Sequence, residues 1–144
     1  MRNLLDVNVL IALLDQDHPA HGVAHTWAAT AQGGYATSAI VQNGLFRIMT
    51  QTAYANGGAP LTLSVVLQAF RQTIASIDHE LWAEPLSLAD ETRFDYRHIH
   101  GPKQLTDIYL LGLSVHHQGR LVTFDRNIPL HAVRGAKATH LVVL

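Results

Sequence analysis

At 144 residues, 48% of them hydrophobic, the chain is long enough to bury a core of its own, and residues 1–144 are expected to form a single domain. The absence of cysteine excludes disulfides and thiolate metal sites. Ten lysines and arginines against eleven acidic residues leave a formal net charge of −1, which excludes a broad basic stripe, so any contact with nucleic acid has to be local.

The opening MRNLLDVNVLIALLDQDH holds an apolar run, but Asp6 interrupts it and no small-residue cleavage site follows, so it does not read as a secretory signal. No stretch approaches the roughly 18 apolar residues of a membrane span. The expected location is the cytoplasm, with no membrane partner. Residues 2–6 read as a short buried strand, residues 8–14 as one or two helical turns, and residues 21–30 as a helix begun near Pro19. A strand over 35–37 follows the Gly33-Gly34 turn. Ser38 is placed to cap a helix running to about residue 51, with Val41, Leu45, Ile48 and Met49 on one face.

Asn56-Gly57-Gly58-Ala59-Pro60 is the best internal breaker. Beyond it Leu63, Val66, Leu67, Phe70 and Ile74 recur at helical spacing over residues 62–77. A strand near 80–83, a partly helical stretch over 88–98, and a helix over 105–117 come next. That last helix is apolar almost all round, the pattern of a buried element. Residues 120–124 and 139–144 close the chain as strands. Strands alternating with helices point to a three-layer α/β domain, its central, mostly parallel sheet of about five short strands flanked by helices.

Three aspartates stand out. Asp6 and Asp125 end the apolar runs of the first and fourth strands, and Asp107 opens the buried helix. In an open parallel sheet these points share one edge, because ligands bind outside the carboxyl ends of the strands. Each has an ordinary reading as well: a helix N-cap for Asp6, a first-turn acid for Asp107, a turn residue for Asp125. Together they are harder to dismiss, since crowded carboxylates repel and a hard divalent cation such as Mg²⁺ offsets that cost. His18, His21 and His25 form a rival cluster at helical spacing, but no cysteine or carboxylate completes it, and an exposed polar face is the simpler reading.

LLDVNVLIALLDQDHPAH, the SAIVQNGLFRIM helix and QLTDIYLLGLSVHHQGRLVTFDRN, in that order, resemble a PIN-domain ribonuclease of the VapC toxin type. The resemblance runs from Leu4 to Asn127. It implies a small α/β domain, Mg²⁺ or Mn²⁺ as cofactor, RNA as substrate, a silencing antitoxin protein as partner, and a homodimer. Carried over, the catalytic and metal-binding residues are Asp6, Asp107 and Asp125. Asn8, Gln42, Asn43 and Thr123 are possible lining residues, with Thr106 a further hydroxyl, and Arg47, Lys103 and Arg126 are possible phosphate contacts. One position departs from the pattern: similar helices carry glutamate where this chain has Gln42. That keeps open an alternative, a catalytically weak PIN-like module that binds RNA or antitoxin without efficient cleavage.

Overall fold

In a computed structural model describing residues 1–144, five strands form one sheet: β1 (Asn3–Leu5), β2 (Tyr35–Ser38), β3 (His79–Trp82), β4 (Arg120–Thr123) and β5 (Leu141–Val143). Their order is β3-β2-β1-β4-β5, and every neighbouring pair is parallel. The helices are α1 (Val7–Leu14), α2 (His21–Thr30), α3 (Ala39–Met49), α4 (Leu63–Ala75) and α5 (Leu105–His116). From β1 the chain winds outward through β2 to β3, then returns through α5 to β4 on the other side of β1. Right-handed crossovers in opposite directions put their helices on opposite faces of a sheet. Accordingly α1, α2, α3 and α4 pack among themselves, whereas α5 packs on β4.

The central strands are covered on both faces, so Leu4, Leu5, Leu121 and Val122 all belong to the core. The near-uniform apolarity of α5 is explained the same way, since residues Ile108 through Ser114 are all buried. Gly112 faces the ring of Phe94, and a Cβ there would stand 2.8 Å from it. Gly44 has a similar reason, its neighbour being the first turn of helix α1. A Cβ on Gly44 would come within 2.7 Å of Val7 Cγ2, so glycine lets α3 close on the first turn of α1.

Several expectations need correction. Residues 88–98 are not helical beyond one 3-10 turn at Tyr96–His98. Asp90 accepts from the Thr92 amide and Asp95 from the Arg97 amide, and such local bonds compete with helix formation. A bridge pairing Phe94 with Val133 then ties this connection to the C-terminal loop. Ser38 occupies the N-cap of α3 without bonding to it. Glu84 does that work, its Oε1 accepting from the Ile40 N–H at 2.8 Å. The histidines after α1 are neither a metal cluster nor a merely solvated face. The rings of His21 and His25 reach the carbonyls of Ala12 and Leu13 at 2.8 and 3.0 Å, closing the C-terminal end of α1.

Candidate functional site

The strand order reverses between β1 and β4, which makes the crevice beyond their carboxyl ends the natural binding place in such a sheet. Leu5 pairs with Val122, and the Asp6 N–H donates to Val122 O at 2.9 Å, so Asp6 and Thr123 leave the two strands side by side. The Thr123 hydroxyl, wholly buried, donates to Asp6 Oδ2 at 2.6 Å. Thr123 Oγ1 in turn accepts from the Asp125 N–H at 3.0 Å and, more loosely, from Asn8 Nδ2 at 3.4 Å. One hydroxyl thus joins the loops after both strands.

Asp6 also caps α1, its Oδ1 accepting from the Val7 N–H at 2.6 Å. The capping and the site readings of this residue are therefore compatible. Asp125 makes the turn expected of it as well, accepting from the Asn127 N–H at 2.7 Å. Asp107 stands in the first turn of α5. A cavity of about 530 Å³ opens here, with Asp6, Asn8, Asn43, Gly44, Arg47 and Asp107 among its walls.

Electrostatics register the crowding. Burial, and then the charges of Asp6 and Asp125, push the Asp107 carboxyl up to about 6. Asp6 is also raised, chiefly by burial and partly by Asp125, although hydrogen bonds from Thr123, Val7 and Asn8 oppose the shift. Both shifts mean that the negative forms lack compensation. The donor set, all oxygen, suits a hard divalent cation. So does the unpartnered, buried Oδ1 of Asn8 on the cavity wall. No three acidic or histidine side chains stand close enough to enclose an ion unaided. A cation held by these residues would need water to complete its shell, an arrangement that suits Mg²⁺.

The other expected residues divide clearly. Asn43 and Arg47 line the cavity, as does Thr106. Lys103 and Arg126 are exposed outside it. Gln42 turns inward: its Nε2 donates to Thr37 Oγ1 at 2.9 Å, and that oxygen lies 2.8 Å from His79 Nε2. It does not line the cavity. Sequence reasoning missed Glu84 as the residue that fixes the start of α3, 44 positions away from its partner and without any local signal.

The PIN domain family matches over residues 4–134. This chain is a PIN-domain protein. It is 43% identical over 145 residues to Ribonuclease VapC44 of Mycobacterium tuberculosis, covering 100% of each chain. Ribonuclease VapC29 of the same organism is 33% identical over 128 residues, 89% of each chain. Ribonuclease VapC39 is 31% identical over 126 residues, 87% of this chain and 89% of the relative.

The raised Asp107 carboxyl has a consequence for stability. Its folded value of about 6 lies above the ordinary 3.8, so its contribution to stability is fully present below about pH 4 and lost as pH rises through 6. In metal-free protein Asp107→Asn should therefore stabilise at pH 7.5. A gain on the order of 1–2 kcal/mol is expected, allowing for screening at a half-buried carboxylate. The gain should vanish towards pH 4. Urea unfolding of both proteins across this range checks it, and a pH-independent difference would contradict the electrostatic account.

Proposed function

We propose that this PIN-domain protein is a divalent-metal-dependent endoribonuclease toxin of the VapC type, acting in the cytoplasm and silenced by a cognate antitoxin. The observation that supports it best is that Asp6 and Asp107 share the wall of one cavity, with the charge of Asp125, which lies outside that wall, near enough to raise both carboxyls. The full-length similarity to Ribonuclease VapC44 supports the reaction class.

Asp6, Asp107 and Asp125 would hold Mg²⁺ or Mn²⁺, with Asn8 Oδ1 as a neutral oxygen donor. When bound, such an ion supplies Lewis acidity at the phosphate and lowers the pKa of a water nucleophile. Thr123 fixes the direction of the Asp6 carboxylate and the position of the Asp125 loop. Asp107 is available to orient the attacking water. Arg47, exposed on the cavity rim and free of any ion pair, is the cation suited to a phosphodiester.

A second reading, a binding module with weak cleavage, draws on Gln42, which brings no charge and is engaged with Thr37. A homodimer belongs to the leading reading by family resemblance. Val66 and Phe70 cannot contribute to its interface, because both are buried, and Phe46 packs edge-on against Phe70. Leu61, Leu63 and Val65 remain exposed for such a contact. Light scattering should give about twice the 15.8 kDa chain mass; a monomer at micromolar concentration would count against the dimer.

Incubating purified protein with a labelled RNA panel separates the two readings. Cleavage should require Mg²⁺ or Mn²⁺ and stop in EDTA. Asp6→Asn, Asp107→Asn and Asp125→Asn should each lower it by about two orders of magnitude or more with the fold intact. Full cleavage in EDTA, or wild-type rates in all three variants, would sink the mechanism. RNA binding without cleavage by the wild type would favour the binding module.

A further inference from the structure

Beside the acid cavity lies an apolar recess of about 320 Å³, walled by Ile40, Leu88, Leu105, Thr106 and Tyr109. Ile40 and Thr106 belong to both spaces, which makes them continuous. Ile40 and Leu105 each leave 39% of their surface exposed. Isolated exposed apolar side chains are ordinary. Here two of them, from α3 and α5, meet Leu88 of the long connection around one hollow at the rim of a charged site. The walls are preformed: Glu84 holds the Ile40 N–H, and Tyr109 is buried with its hydroxyl directed at Leu86 O.

On the basis of the ribonuclease reading, we infer that this recess receives the nucleobase flanking the scissile phosphate and sets the base preference next to the cut. Charge is the first argument. The chain carries a net charge of −1, and Arg47 is the only basic residue lining the acid cavity, so phosphate attraction alone holds RNA weakly. The part of single-stranded RNA that binds apolar surface is the unstacked base. Continuity is the second. A nucleotide whose phosphate lies against Asp6 and Asp107 has to place an adjoining base in neighbouring space, and across the shared wall that space is apolar. Thr106, on the boundary, adds a hydroxyl within reach of a base edge or a ribose 2′-OH.

The test uses the full chain with Mg²⁺ or Mn²⁺ and an RNA pool randomised around the cleavage position, with the products sequenced. Wild type should show a preference at one nucleotide adjoining the cut. Ile40→Ser and Leu105→Ser, both surface changes, should each flatten that preference at least fivefold and raise KM, with Mn²⁺ affinity unchanged by calorimetry. An unaltered preference and KM in both variants, while Asp6→Asn still abolishes cleavage, would overturn this inference and leave the ribonuclease reading standing. If the variants instead convert a dimer to a monomer by light scattering with base preference intact, the recess is a subunit contact and the inference is wrong. Absence of any cleavage by the wild type would overturn the ribonuclease reading and this inference with it.

Discussion

A single buried hydroxyl organises the carboxyl edge of this sheet. Thr123 Oγ1 donates to Asp6 and accepts from the backbone of Asp125, so the loops after β1 and β4 are held in one geometry. Without it, two carboxylates following adjacent strands would repel and turn toward bulk water. Hydrogen bonds to a charged acceptor are worth roughly 1.5–3 kcal/mol, enough to oppose part of the desolvation that raises Asp6. They do not remove the strain, and Asp107 carries much of what remains.

The topology explains why such strain arises here. Reversal of strand order between β1 and β4 leaves a crevice that neither set of helices fills. Asp107 reaches the crevice from α5 on one face, and α3 closes it from the other because Gly44 admits Val7. Core packing and the site therefore share residues: Val7 and Leu110 line the cavity and also belong to, or pack against, the hydrophobic core. Gathering like charges in one crevice costs stability, the usual trade at functional sites.

Much of the fold was legible from short-range pattern. The apolar runs at Leu4-Leu5 and Leu121-Val122, the near-uniform apolarity of α5 and the turn residues before α4 each signal their element locally. The stretch over 88–98 was not legible, because its turns depend on Asp90 and Asp95 bonding to nearby amides and on a pairing with Val133. The placement of Asp6 and Asp125 after β1 and β4, and of Asp107 in the first turn of α5, could be read because each abuts a recognisable apolar run. The rotamer of Gln42 could not, since its partner Thr37 lies on β2 and is itself linked to His79 on β3. Glu84 was invisible for the same reason: its role exists only once the connection after β3 folds back on α3.

The most direct test of this account is calorimetric titration of Mn²⁺ into wild type and Thr123→Val, a substitution that keeps the shape of the side chain and removes its hydroxyl. Groups that orient a metal's ligands are commonly worth 10–100-fold in affinity. The account predicts that wild type binds the ion and that Thr123→Val, still folded by circular dichroism, binds it at least tenfold more weakly. Equal affinity in the two proteins, or no binding by wild type, would contradict it.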